Sequence, residues 1–234
     1  MSGQVKRVGL IGGTSWESTL EYYRLINQRS GAALGGDRTA EILLWSLDFG
    51  AVLQLKARGD FAALAVVFRS AARGLVALGA DLLVICSNTG QLRAPDIEAA
   101  VAVPLVHIVD AVGVAIRRQG LGKMALLGTL ETMRSTFYRD RLREAWNVET
   151  VVPEPRIQAR VHEIAILEVA RGRRSNASRA ELIQIIGELC PSAAGGVILG
   201  CTELPLLVSN EDVEVPLFDS LSLHVDAIVE RALG

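Results

Sequence analysis

The chain has 234 residues, of which 50% are hydrophobic, 5% aromatic and 21% charged, with a formal net charge of −2 at pH 7. This length suffices for one large domain or two smaller lobes with a proper core. The charges form no long block of one sign, and no apolar run reaches the roughly 18 residues of a membrane span, so we expect neither nucleic acid nor a membrane as a partner. Three cysteines without a CxxC pair indicate a reducing compartment, so we expect a cytoplasmic protein.

The first predicted strand, residues 5–11, ends in the glycine pair Gly12-Gly13. Thr14 opens a capping-box pattern, which predicts a helix over 15–29 with Thr14 as its N-cap. Free N–H groups and the helix dipole at such a start attract anions. Because the GxGxxG pattern and a Walker lysine are absent, we expect a small carboxylate or phosphate there rather than a nucleotide.

The rest of the first half alternates strands with helices, which indicates the α/β class. Apolar runs predict strands over 42–47, 80–85 and 103–108. Between the first two, the spacing of apolar residues predicts a helix over 61–78 with Asp60 as its N-cap.

The second half of the chain repeats the strand segments of the first in the same order, at offsets of 116, 114 and 112 residues. The matching pairs are 8–13 with 124–129, 83–88 with 197–202, and 103–107 with 215–219. This repeat predicts two pseudo-symmetric Rossmann-like (flavodoxin-like) lobes with parallel sheets and an active site in the cleft between them. We expect residues 1–103 plus 212–234 to form the first lobe and 104–211 the second.

The repeat makes Ser87 and Cys201 equivalent positions, each just beyond the carboxyl end of a strand, where open α/β sheets bind ligands. In two related lobes they would face one substrate from opposite sides. Two proton-carrying groups on opposite faces of one carbon are what inversion by proton transfer requires. A buried structural thiol is the alternative for Cys201, because free cysteine is among the most buried residue types.

At these residues the chain resembles the aspartate/glutamate racemases, which work without pyridoxal phosphate. The similar segments are 9–19 (GLIGGTSWEST), 85–89 (ICSNT), 127–133 (LGTLETM), 137–139 (FYR) and 199–205 (LGCTELP). The resemblance implies an amino-acid racemase without a cofactor, whose partner is a small amino-acid substrate. Family members often dimerise, so the resemblance also implies a homodimer, although no feature of the sequence fixes its interface.

The family uses two opposed cysteines as bases, and Cys201 matches the second of them. Ser87 stands where the first is expected, whereas Cys86 lies one position too early and should point into the core. Some members carry threonine at the first position and act mainly on the L-enantiomer, with the second cysteine removing the proton. A serine hydroxyl is far harder to ionise than a thiol, so we expect an asymmetric racemase that favours the L-enantiomer.

The resemblance also implies a set of substrate-binding residues at the strand ends, which would stabilise charge on the substrate carboxylate. They are Gly13, Thr14, Asn88, Thr89, Thr129, Thr132, Thr202 and Glu203. A helix cap is the alternative role for each threonine. The three histidines show no metal-ligand spacing, so no metal site is expected. Cys190, at a predicted helix end, is expected to be inert.

Other readings of the sequence stay open. The family often has tyrosine at the position of Ile166, so the pocket here is expected to be more apolar and the amino acid need not be aspartate or glutamate. A single-cysteine decarboxylase or a cis–trans isomerase of a small dicarboxylate fits the same fold and one thiol. An amino-acid-binding protein without catalytic activity is the third alternative.

Overall fold

The computed structural model describes residues 5–193 and 195–234, with side chains described except at 190–193. The chain forms two compact units. The first unit consists of Met1–His107 together with His224–Gly234, and the second of Ile108–Leu223. No helix among the described residues is long and apolar enough to cross a bilayer.

The first unit contains a four-stranded sheet in the order β2-β1-β3-β4, with every neighbouring pair parallel. Its strands are β1 (Val8–Gly12), β2 (Ile42–Ser46), β3 (Leu82–Ile85) and β4 (Leu105–Val106). The two central strands, β1 and β3, are buried along their whole length. This is typical of parallel sheets covered on both faces, whose strands read as continuous apolar runs.

The helices of the first unit are α1 (Trp16–Leu34), α2 (Phe49–Ala57), α3 (Phe61–Ala77) and α4 (Ala94–Glu98), the last preceded by a 3₁₀ turn (Thr89–Arg93). The first three begin at side-chain caps that the sequence supplies. Asp60 accepts a hydrogen bond from the N–H of Ala63 over 3.0 Å, so the predicted start of α3 is confirmed. The predicted N-cap of α1 is wrong, because Ser15, not Thr14, accepts from the N–H of Ser18 over 3.1 Å.

The second unit contains a matching sheet in the order β6-β5-β7-β8, again parallel throughout. Its strands are β5 (Lys123–Gly128), β6 (Glu149–Val151), β7 (Val197–Gly200) and β8 (Leu217–Asp219). Its helices are α5 (Ile108–Arg118), α6 (Leu130–Arg134), α7 (Phe137–Trp146), α8 (Pro155–His162), α9 (Asn176–Ala193) and α10 (Ser220–Leu233), the last of which continues into the first unit. A π-helical turn (Glu163–Glu168) follows α8.

The registers of the two sheets show the internal repeat directly. Ile11 pairs with Ile85 in the first sheet, and Leu127 pairs with Leu199 in the second. These four residues are related by the offsets of 116 and 114 found in the sequence. The predicted α/β class with two similar parallel-sheet lobes is therefore confirmed.

The structure divides the chain at other positions than the predicted boundaries after residues 103 and 211. Strand β4 pairs with β3, so residues 104–107 belong to the first unit. Strand β8 pairs with β7, so residues 212–223 belong to the second unit. Backbone hydrogen bonds between strands, which the sequence repeat alone does not place, decide both differences.

Candidate active site

In the second unit, the candidate residues follow two paired strands. Gly128 at the end of β5 pairs with Gly200 at the end of β7, so Thr129 and Cys201 each come one residue after that pair. Open parallel sheets bind ligands at this carboxyl edge. The strands approach closely here, since a Cβ atom on Gly128 would lie 2.9 Å from the carbonyl oxygen of Gly200. Glycine is therefore required at the pair that carries the candidate thiol.

The thiol of Cys201 is nearly buried and points at a carboxylate. Its side chain is 6% exposed, and its Sγ donates to Oε2 of Glu203 over 2.7 Å. The hydroxyl of Thr202 donates to the same oxygen over 2.9 Å. Burial first, and then the negative charge of Glu203, raise the pKa of Cys201 well above its ordinary value. The thiol is thus protonated in the ligand-free protein at neutral pH.

The two threonines that follow β5 stabilise the backbone of α6. Thr129 is the N-cap of this helix, and its Oγ1 accepts from the N–H of Thr132 over 3.2 Å. The two hydroxyls lie 3.0 Å apart, and Thr132 is fully buried. The cap, which was the alternative to substrate binding for Thr129, is present in the structure.

The sequence reasoning gave no role to His162 at this end of the sheet. The side chain comes from the last turn of α8, and its Nδ1 accepts a long hydrogen bond of 3.4 Å from the N–H of Leu130. It therefore lies at the N-terminus of α6, next to Thr129. The π-helical turn that begins right after it is a feature often found at functional sites, but residue spacing does not reveal such a turn.

In the first unit, Gly13 and Ser87 each come two residues after the strand pair Ile11 and Ile85. Thr129 and Cys201 occupy the same places relative to the pair Leu127 and Leu199. The equivalence of Ser87 and Cys201 within their own sheets therefore agrees with the predicted repeat.

The hydroxyl of Ser87 takes part in the turn after β3. Its Oγ accepts from the N–H of Gly90 over 3.1 Å and lies 3.4 Å from Oγ1 of Thr89. Asn88 is buried, and its carbonyl accepts from the N–H of Gln91 over 3.1 Å. The three predicted residues Ser87, Asn88 and Thr89 are thus brought together in one tight turn.

Gln91 fixes this turn, and the sequence reasoning did not single it out. Its side chain is 1% exposed. Its Nε2 donates to the carbonyl oxygens of Ile85 and Ser87, over 3.1 and 3.2 Å. A buried amide that satisfies two strand-end carbonyls holds the backbone of Ser87 in place. Its position shortly after a strand was the only signal, and that signal is weak.

Gly13 adopts a left-handed backbone with φ of 84°. Its N–H donates to Oγ1 of Thr19 over 3.0 Å, so the expectation of a free N–H for an anion at this residue is wrong. A Cβ atom here would lie 2.1 Å from the carbonyl oxygen of Leu47. The backbone of Gly13 therefore lies too close to that of Leu47 to leave room for a side chain.

Thr14, freed from the predicted capping role, has a buried Oγ1 without a hydrogen-bond partner among the described residues. Buried hydroxyls are normally satisfied. A ligand oxygen or an ordered water is therefore expected to bond to it, which keeps Thr14 among the candidate binding residues.

The other two cysteines are separate cases. Cys86 is fully buried, as expected, and burial raises its pKa far above its ordinary value. Both Cys86 and Cys201 are free thiols. The side chain of Cys190 lies outside the described residues. Within residues 5–193 and 195–234, no group of three or more potential ligand side chains could hold a metal ion.

Comparison with known proteins places this arrangement in a family. The family model for Asp/Glu/Hydantoin racemase matches residues 11–228. The structure of a candidate Asp/Glu racemase from Yersinia pestis is 44% identical, with a TM-score of 0.94 over 98% of this chain and 100% of that one. An aspartate racemase homologue from Pyrococcus horikoshii OT3 is 35% identical, with a TM-score of 0.88 over 97% and 99% of the two chains.

Among characterised relatives, the broad specificity amino-acid racemase RacX of Bacillus subtilis is 27% identical over 156 residues. The match covers 67% of this chain and 66% of RacX. Two parallel sheets of equivalent order, a thiol at one strand end and a match over nearly the whole chain define a racemase fold. The chain belongs to the Asp/Glu/hydantoin racemase family. Racemases are isomerases, and this is the enzyme class of the chain.

Proposed function

We propose that the protein is a cofactor-independent amino-acid racemase in which the Cys201 thiolate removes the α-proton of the substrate. The observation that carries the proposal is the placement of Cys201 at the carboxyl edge of β7, where its thiol donates a hydrogen bond to the carboxylate of Glu203. The α-proton of an amino acid is weakly acidic, so a thiolate base and donors to the substrate carboxylate are both needed. Thr14, with its unpartnered hydroxyl, is one such donor.

In this proposal Ser87 acts on the face of the substrate opposite to Cys201. The support is its equivalent register position and the resemblance to the family. Serine cannot be an equivalent base, because its hydroxyl is much less acidic than a thiol. Its hydroxyl, already oriented by the N–H of Gly90, donates a proton or holds a water molecule that does.

The asymmetry has a specific kinetic form. The two enantiomers have equal free energies in water, so kcat/KM for interconversion must be the same in both directions. A strong base on one side and a weak group on the other therefore affect isotope exchange, not the final equilibrium. Cys201 should exchange the α-proton of the L-enantiomer with solvent faster than the enzyme converts that enantiomer to the D-form. The D-enantiomer, which depends on Ser87, should exchange slowly.

The experiment is a panel of amino acids in D₂O, with loss of the α-proton followed by NMR and inversion by chiral chromatography. The panel starts with aspartate and glutamate and extends to apolar and hydroxylated side chains, since RacX is described as broad in specificity. We expect exchange of one or more L-amino acids, reduced by about 10²–10⁴-fold in Cys201→Ala, the usual contribution of a general base. Exchange that is unaffected by Cys201→Ala contradicts the proposal.

The matched variant is Ser87→Cys, which restores a thiol to the equivalent position. We expect it to accelerate exchange of the D-enantiomer while leaving exchange of the L-enantiomer nearly unchanged. Ser87→Ala removes the hydroxyl but changes the size of the side chain little. Slower exchange of the D-enantiomer in this variant would therefore come from loss of the proton donor and not from a change of shape. Equal exchange of both enantiomers by the unmodified protein contradicts the asymmetry.

A second candidate function is a single-cysteine decarboxylase or cis–trans isomerase of a small dicarboxylate. Ser87 favours it, because only one of the two equivalent strand ends carries a thiol. Release of CO₂ from substituted malonates, or loss of maleate, without exchange of any amino acid would support this alternative. Ligand binding with no turnover at all would support an amino-acid-binding protein.

The cytoplasmic location and the homodimer remain predictions from the sequence. Light scattering after size-exclusion chromatography measures the mass in solution, and cell fractionation measures the location.

A further inference from the structure

We propose that Glu203 makes formation of the Cys201 thiolate depend on a ligand that carries an ammonium group. This inference rests on the proposed racemase function and deepens it, because it states which substrate class the site can activate. Amino acids carry the required cation next to the reacting carbon. Plain dicarboxylates such as maleate or malonate do not.

The geometry gives Glu203 two different oxygens. Oε2 receives both the Cys201 thiol at 2.7 Å and the Thr202 hydroxyl at 2.9 Å. Among the described residues, no side chain or backbone group donates to Oε1. The carboxylate is thus held through Oε2. Because the side chain of Glu203 is partly exposed, Oε1 is available to a ligand.

The sulfur is subject to opposing influences. Burial and the Glu203 carboxylate raise the pKa of the Cys201 thiol, whereas the neighbouring backbone N–H groups of Glu203 and Thr202 lower it. Across the described elements packed against Cys201, Glu203 is the charged side chain that contributes to this balance. A positive charge that compensates the Glu203 carboxylate therefore changes the pKa of the Cys201 thiol most directly.

A bound ammonium group provides this compensation. Its N–H groups donate to Glu203, and its positive charge offsets the repulsion between the carboxylate and a thiolate. The S–H bond of Cys201 then breaks, the proton passes to solvent, and the electron pair stays on sulfur. One proton is released for each ligand bound.

This coupling would keep the thiol unreactive in the empty site. A thiolate is the form that reacts with oxidants and disulfides. Dicarboxylates without an amine would leave Cys201 protonated and unable to act as a base. The site therefore selects by charge as well as by shape.

The first experiment follows the ultraviolet absorbance of the Cys201 thiolate against pH in ligand-free protein, with Cys201→Ala as the baseline. We expect Glu203→Gln to lower the midpoint by about one pH unit, equivalent to about tenfold more thiolate at a pH below it. Glu211→Gln removes the same charge from an exposed loop position and should leave the midpoint unchanged. An unchanged midpoint in Glu203→Gln overturns the inference.

The second experiment adds α-methylaspartate, which has an ammonium group but no α-proton and so cannot turn over, or 2-methylsuccinate, its amine-free counterpart. We expect proton release and a rise in thiolate absorbance with α-methylaspartate alone, and no ligand-dependent rise in Glu203→Gln. Equal responses to the two compounds, or none to either, overturn the inference. If Glu203→Gln shifts the midpoint but no amino acid exchanges its α-proton, the racemase function fails while Glu203 still controls the thiol.

Discussion

The phenol oxygen of Tyr22 lies 2.7 Å from Nδ1 of His224, and both side chains are buried. On the other side of the ring, Nε2 of His224 lies 2.8 Å from the carbonyl oxygen of Val106. A carbonyl oxygen only accepts, so Nε2 donates to it, and in an imidazole with this single proton Nδ1 accepts from Tyr22. These bonds connect α1, β4 and α10 within the first unit.

Replacement of Tyr22 by phenylalanine is expected to lower the free energy of unfolding by about 1–3 kcal/mol, because it leaves Nδ1 of His224 buried without that donor. Tyr23→Phe is the matched control, since its side chain is 51% exposed; we expect a change within about 0.5 kcal/mol. Urea unfolding of the two variants measures the difference. Equal effects would contradict a structural role for the bond.

The repeat in the sequence predicted β5, β7 and β8 of the second sheet from their counterparts in the first, because strand runs and their spacing are local properties, but it did not predict β6. Asp60 predicted its helix start for the same reason. Domain boundaries were harder, since whether β8 pairs with β7 or with the first sheet depends on contacts far apart in the chain. Tyr22 and His224 are 202 positions apart in the sequence, so no local sequence pattern predicts the hydrogen bond between them.

Gly13→Ala is expected to be among the most destabilising substitutions in the first unit. A positive φ strains alanine by about 1–2 kcal/mol, and the added carbon would overlap the backbone of Leu47 at 2.1 Å. We expect a loss of at least about 3 kcal/mol of unfolding free energy or no soluble protein. Gly36→Ala shares the positive φ but has nothing within 4 Å, so only the loss of about 1–2 kcal/mol from strain is expected. Similar thermal stability of both variants would refute the role of close approach.

Thr14 and Ser15 allow the binding and capping roles to be separated. Ser15→Ala removes the N-cap of α1 and should lower the unfolding free energy by about 1 kcal/mol with little effect on ligand affinity. Thr14→Val removes a hydroxyl without a partner among the described residues, so stability should stay within about 0.5 kcal/mol while KM rises. Denaturation and steady-state kinetics on both variants test this, and the reverse pattern would restore Thr14 as the cap.

Stability is expected to fall as pH rises above about 9. Burial raises the pKa of Cys86 and of Cys201 above the ordinary 9.0, and that of Tyr138 above 10.0. Above pH 9 the unfolded chain therefore binds fewer protons than the folded one, so the stabilisation is complete below that pH and is lost as pH increases. The slope is at most about 1.4 kcal/mol per pH unit for each group.

Urea unfolding of the unmodified protein at neutral and alkaline pH measures this slope. Cys201→Ala should show a shallower decline, because one of the shifted groups is gone. A free energy of unfolding that does not change across this range would show that the thiols ionise as easily in the folded protein as in the unfolded chain.

The candidate site could be predicted only as far as residue identity and strand ends allow. Cys201 and Ser87 follow from the repeat, because a fixed offset preserves register. The bond from Cys201 to Glu203 and the amide of Gln91 over the Ser87 turn depend on side-chain rotamers. Ser15, rather than Thr14, has the extended backbone and the accepting hydroxyl of the cap. None of these is fixed by spacing.

The return of the chain to the first unit has a consequence for biosynthesis. Translation proceeds from the N-terminus, so the ribosome completes residues 108–223 before it supplies His224 to Tyr22 and Val106. A chain released after Leu223 holds every residue of the second unit and a first unit that still lacks its closing segment. We therefore expect protease resistance in the second unit of such a truncated chain and not in the first, which gains it only when residues 224–234 are present.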